Sequence, residues 1–91
     1  MKSHKQFQPF LRILGEKMYH QRILKNLVTK EFAPMVSLSP EAYRRIERGE
    51  SDPSFTTILL ITSKLDIDLP RLLKEHRHKD FMTPEKKNGK P

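Results

Sequence analysis

The stretch Ser39 to Phe55, SPEAYRRIERGESDPSF, does most to limit what this chain can fold into. Its first half predicts a short helix with marked ends. Ser39 can accept a bond from the free amides of the first turn, and Pro40 suits the first helical position, where no N–H is needed. Ala42, Tyr43 and Ile46 recur three and four residues apart on one face, while Glu41, Arg44, Arg45 and Arg48 fall elsewhere on the cylinder. Gly49 supplies the left-handed residue that ends such a helix. Asp52-Pro53-Ser54 then opens the next helix, with Ser54 as its cap.

Helical patterns flank this stretch on both sides. Residues 1–8 read as a flexible basic arm. Pro9 suits a helix start, and Phe10, Leu11, Leu14 and Met18 form an apolar stripe that predicts a first helix to about Leu27. Gly15 reads as a weak point in it, costing about 1 kcal/mol relative to Ala. Thr29 to Val36 is expected to be a second helix capped by Thr29, with Phe32, Ala33, Val36 and Leu38 as its packing residues. Pro34 inside that helix would cost about 3 kcal/mol, so the helix is expected to start late, be short, or be irregular. In Ser54 to Leu65, Phe55, Ile58, Leu59, Ile61, Thr62 and Leu65 form a broad apolar face. A buried strand would fit the bare pattern too; the Pro-Ser start and the length favour a helix. Asp68 can cap a fifth helix entered through Leu69-Pro70, and Leu72 and Leu73 are expected to close the core. The folded domain is placed at 9–76 and a basic tail at 77–91, with 86–91 disordered.

Composition removes several function classes. Ninety-one residues allow one domain with a small core, and only 35% are hydrophobic, which leaves part of the chain as tail. There is no cysteine, so disulfides, thiolate zinc sites and cysteine nucleophiles are excluded. The longest aliphatic run is Ile58-Leu59-Leu60-Ile61, too short for a signal core or a membrane span, so a cytoplasmic protein is expected. Catalysis has little support. Of His4, His20, His76 and His78, only His76-Arg77-His78 clusters, and it reads as two exposed tail histidines, not a metal site. No glycine-rich phosphate loop exists, and Asp66 and Asp68 look like helix-end residues. No enzyme activity, metal or cofactor is expected.

The net charge of +7 points to a polyanionic partner. Its distribution is uneven. Residues 1–30 hold seven Lys/Arg against Glu16 alone, residues 31–70 four against seven acids, and residues 71–91 seven against three. Positive charge therefore sits on the first helix and the two ends, and the middle is acidic.

The string Tyr43-Arg44-Arg45-Ile46-Glu47-Arg48-Gly49-Glu50, followed by Asp52-Pro53-Ser54, resembles the phage-repressor-type helix-turn-helix family (Cro/XRE type). The similarity runs without a gap from about Leu14 to Leu73. It implies an all-α, compact five-helix bundle of the lambda-repressor-like DNA-binding type, with the helix-turn-helix formed by helices 2 and 3. It also implies that helix 3, about 39–48, enters the major groove N-terminus first. The family's base-reading positions map to Pro40, Glu41 and Arg45, with Arg44 beside them; Thr29, Lys30, Ser39 and Arg48 map to phosphate contacts. An arginine near the end of helix 1 pairs with the glutamate of this string in the family, which implies an ion pair of Arg22 with Glu47.

The chain departs from the family pattern in places. Thr29 stands where glutamine is common, and Ser37 replaces the turn glycine, a left-handed serine strained by about 1–2 kcal/mol. Asp66 stands where glycine commonly ends helix 4. Gln21 takes a position usually held by leucine, while Ile23 and Leu24 take usually polar ones, so either helix 1 is rotated or these two make an extra contact. Leu60 is apolar where the family is exposed. Ile23, Leu24 and Leu60 are therefore the expected contacts of a homodimer. Two readings follow. The first is a sequence-specific regulator binding double-stranded DNA in the nucleoid, as a dimer. The alternative is a protein-interaction module on the same scaffold, antitoxin-like or an adaptor, with weak or no DNA binding.

Overall fold

The computed structural model describes residues 8–77. Residues 1–7 of the expected arm, with His4, and residues 78–91 of the expected tail, with His78, lie outside the described residues, whereas Gln8 and Arg77 belong to helices. The first helix, α1 (Gln8–Leu24), turns its apolar stripe inward: Phe10, Leu11, Leu14 and Met18 are all buried. It ends three residues before the predicted Leu27 because Asn26 is left-handed, with φ 53°. The Asn26 N–H donates to the Ile23 carbonyl and the Leu27 N–H to the Arg22 carbonyl, both at 3.0 Å. These two bonds satisfy the orphan carbonyls of the last turn.

The second helix begins on schedule and then tightens. An α-helical turn, α2 (Thr29–Phe32), runs directly into a 3-10 turn over Ala33–Val36. Pro34 has no N–H to give a carbonyl four residues back, and its ring crowds that carbonyl, so the α form cannot continue. The 3-10 turn accepts Pro34 in its first positions. The late start expected for this helix does not occur. Val28, not Thr29, takes the N-cap position, and its side chain supplies no capping bond.

The third and fourth helices are α3 (Pro40–Glu47) and α4 (Phe55–Leu65). Their caps are the predicted ones: Ser39 Oγ accepts from the Ala42 N–H and Ser54 Oγ from the Thr57 N–H, each at 3.1 Å. In α4 the core takes Ile61, Thr62 and Leu65, with Ile58 and Leu60 half-buried beside them. Leu60 therefore packs against the core, contrary to its expected exposure, which weakens it as a dimer contact. Phe55 and Leu59 point to solvent, because the stripe at 58, 61, 62 and 65 won the inward side. The buried Thr62 hydroxyl is satisfied by the carbonyls of Ile58 and Leu59.

The fifth helix, α5 (Leu69–Arg77), is capped by Asp68, whose Oδ1 accepts from the Arg71 N–H at 3.2 Å. Leu72 is buried, but Leu73 is largely exposed and does not close the core. His76 is half-buried, its ring edge-on to Phe10 at 5.6 Å, rather than an exposed tail residue. Gln21 has a reason to replace an aliphatic residue: its Nε2 donates to the Leu65 carbonyl at 3.1 Å, so α1 caps the end of α4. The core centres on Leu14, Met18, Phe32, Val36, Tyr43, Ile61 and Leu65, with α1 lying against α3, α4 and α5. Among the described residues the architecture is all-α: five helices and no strand, with no helix long and apolar enough to cross a membrane.

Candidate nucleic-acid interface

The two sides of α3 have opposite chemistry. Tyr43 and Ile46 are buried, and the Tyr43 ring meets Phe32 edge-on at 5.4 Å. On the outer side Glu41, Arg44 and Arg45 are exposed, followed by Arg48 at the C-cap. Pro40 is half-buried at the N-terminal end and Ser39 is exposed beside it. The guanidinium groups of Arg44 and Arg45 have no hydrogen-bond or ion-pair partner among the described residues. Arg48 differs: its Nε and Nη2 each lie 3.1 Å from the Glu50 carboxylate. That contact raises the Arg48 pKa and lowers that of Glu50. At the start of α2, Lys30 is exposed and Thr29 half-buried.

A polar network and a close backbone approach mount α3 on the domain. Arg22 grips Glu47 with two bonds, Nε to Oε2 at 2.9 Å and Nη2 to Oε1 at 3.1 Å. Its remaining Nη1 donates to the Leu27 carbonyl at 2.8 Å, and the Tyr43 hydroxyl donates to Glu47 Oε2 at 2.8 Å. The side chains of the pair are only 11% exposed, so each charge depends on the other. Burial first, and the Glu47 carboxylate second, push the Tyr43 phenol far above its usual range. The hydrogen bonds that Arg22 donates to Glu47 likewise raise the Arg22 pKa. The exposed Tyr19 ring lies 5.6 Å from the Arg22 guanidinium, covering the network from outside.

Gly15 belongs to this mounting. A Cβ there would overlap the Glu47 carbonyl and lie 2.9 Å from its carbon. The glycine lets α1 touch the last turn of α3 backbone to backbone, so it is a packing requirement and not a weak point. Gly49 (φ 73°) meets α1 at Arg12 in the same crossing, where a Cβ would lie 3.2 Å from the Arg12 Cα.

The structure thus sets Glu41, Arg44, Arg45 and Arg48 along the outer side of α3, with Ser39 at its start, and Thr29 and Lys30 at the start of α2. Sequence reasoning missed Gly15, the hydroxyl role of Tyr43, and Glu50. Tyr43 and Glu47 are four apart on one helix, a spacing that does signal a contact. Nothing in the sequence signals the Gly15 approach, which depends on the crossing of two helices. Ile23 is 49% exposed and Leu24 74% exposed, with Val28 and Tyr19 also open to solvent nearby in the chain. No group of three or more His, Asp or Glu suited to a metal ion occurs among the described residues.

A family model described as helix-turn-helix matches residues 19–72, more than half of the chain. The match covers all of α2, α3 and α4 and leaves residues 8–18 of α1 outside. No curated protein matches the chain.

Proposed function

The chain belongs to the Cro/XRE-type helix-turn-helix family, a family of DNA-binding regulators, and on that premise we propose that it reads a specific duplex sequence with α3, as a dimer. One observation carries the reading: α3 is held from behind by Arg22, Glu47 and Tyr43 while Arg44 and Arg45 stand exposed, with no partner among the described residues, on its outer side. An arginine held at that angle can donate to guanine O6 and N7, and Glu41 can accept from cytosine N4. Glu41 is repelled by phosphate, so it selects rather than adheres. Pro40 completes the base-facing surface. Thr29, Lys30, Ser39 and Arg48 contact phosphates and set the register. Two copies with recognition helices about 34 Å apart would read two half-sites, with Ile23 and Leu24 as the apolar contacts between copies. Binding an operator in the nucleoid would then block or recruit polymerase.

The exposed apolar side chains of Leu24, Phe55 and Leu59 favour a second reading, an interaction module that captures another protein. Selection of random duplexes with the purified full chain separates the two. The regulator retrieves a shared sequence and loses affinity steeply as salt rises. In that selection Arg45→Ala relaxes preference at one base position by about 1–3 kcal/mol. Retrieval of no shared sequence, together with salt-insensitive capture of a protein partner, ends the regulator reading.

A further inference from the structure

Glu50 follows the recognition helix, and its backbone is fixed there. Its N–H donates to the Arg45 carbonyl and the Gly49 N–H to the Ile46 carbonyl, both at 2.9 Å. The left-handed Gly49 folds the chain back over the last turn of α3. That return holds the Glu50 carboxylate against Arg48, with bonds of 3.1 Å to Nε and to Nη2. Two donors on one edge of a guanidinium match a carboxylate and a phosphate alike, so both ligands compete for the same edge. The two side chains are 54% and 55% exposed, so the pair sits in solvent, where a phosphate has access to it.

Resting on the DNA-binding reading, we propose that Glu50 is an internal competitor for phosphate at Arg48, limiting the affinity of α3 for any duplex. Binding must exchange a carboxylate for a phosphate at this edge. An arginine already neutralised by its own chain displaces no counterion from the duplex, so it adds nothing to the salt dependence. The displaced carboxylate then stays beside the sugar-phosphate rail and repels it. The Glu50 carboxylate hydrogen-bonds Arg48 alone, and Arg45 feels its charge only at longer range, so the effect falls first on affinity for any duplex.

The test is duplex binding as a function of salt for the full chain, with Glu50→Gln, Glu50→Ala, Arg48→Ala and the double variant Arg48→Ala/Glu50→Gln. Removing the Glu50 charge is expected to raise affinity about two- to fivefold at low salt, for matched and unmatched duplexes alike. It should also steepen the plot of log affinity against log salt by about 0.9, one phosphate's worth. When Arg48 is alanine, removing the Glu50 charge should no longer steepen the slope and should raise affinity less than it does beside Arg48. Arg48→Ala alone should weaken binding, since it removes a phosphate contact and leaves the Glu50 charge facing the duplex. If the wild type binds duplex and Glu50→Gln leaves affinity and salt slope unchanged, or weakens binding, the competitor role is overturned while the DNA-binding reading stands. If neither the wild type nor any variant binds duplex at low salt, the DNA-binding reading fails and this role with it. Binding gained only in the Glu50 variants supports both.

Discussion

The two helices of the helix-turn-helix motif are held in place by different physics. The third helix has a serine cap, a proline at its first position, a glycine after its end, and a buried ion pair fastening it to α1. The α2 segment has no side-chain cap, a proline in mid-course, and a left-handed serine at its exit. It stays in place because Phe32, Ala33 and Val36 are buried. Directional polar contacts fix a helix in angle and register, whereas apolar burial only fixes which side faces in. The element proposed to enter a groove at a set angle has the first kind of support. The element assigned to lie along the phosphate rail has the second.

The largest expected effect is on the α1–α3 crossing. Helix propensity alone predicts that Gly15→Ala stabilises the chain by about 1 kcal/mol. The structure predicts the opposite sign. The added methyl meets backbone of Glu47, which no rotamer change can move aside, so α1 and α3 must separate. Overpacking of this kind costs about 1–3 kcal/mol, and a backbone obstacle puts it at the upper end. Urea unfolding should show a lower midpoint for Gly15→Ala, and the variant should bind duplex more weakly because the tilt of α3 has changed. A gain in stability would mean that the crossing is softer than its geometry indicates.

What the sequence could and could not disclose follows the same division. Caps were legible because they are local: Ser39, Ser54 and Asp68 each act on an amide three residues away. The helices were legible for the same reason, through short-range spacing. The facing of α4 was ambiguous, because Phe55, Ile58, Leu59, Ile61 and Leu65 fit more than one stripe and only packing selects one. The irregularity at Pro34 was legible because it is local. The left-handed Asn26 that ends α1 carried no glycine to mark it, and the exposure of Leu73 depends on packing against other elements. In the candidate interface, the spacing showed that Arg44 and Arg45 face away from Tyr43 and Ile46. It did not show that Glu50 folds back on Arg48, since that requires the turn at Gly49. The recurrence of one closing motif was legible at Ser37, Gly49 and Asp66 through the resemblance and was missed only at Asn26. Among the described residues Asn26, Ser37, Gly49 and Asp66 all end helices in the left-handed region, and a single one of them is glycine.

An intermediate effect is expected in the network behind α3. Tyr43→Phe removes the hydroxyl that donates to Glu47 and should cost about 1–2 kcal/mol near neutral pH. Its pH dependence is the sharper reading. Burial raises the Tyr43 pKa above the ordinary 10.0, so at high pH the folded state keeps a proton that the unfolded chain has lost. The stabilisation from this phenol is therefore complete below about pH 10 and declines as pH rises beyond it. Denaturant titrations between pH 8 and pH 11 should show stability falling with pH more steeply in the wild type than in Tyr43→Phe. Parallel curves would remove Tyr43 from the account.

The smallest effect tests the weaker helix. Ser37 sits at φ 57° with its N–H on the Pro34 carbonyl, and the Leu38 N–H bonds the Ala33 carbonyl. A side chain in this region is strained by about 1–2 kcal/mol, and glycine relieves the strain at an entropy cost of about 0.5–1 kcal/mol in the unfolded chain. Ser37→Gly should therefore stabilise the protein by about 0.5–1 kcal/mol. The gain should appear as slower amide exchange in α2, with little change in α1 or α3, since among the described residues no polar contact ties the turn to them. If exchange slows equally throughout α3, the two helices share one support and the contrast between them fails. If stability falls, the serine side chain holds the turn, and α2 has directional support after all.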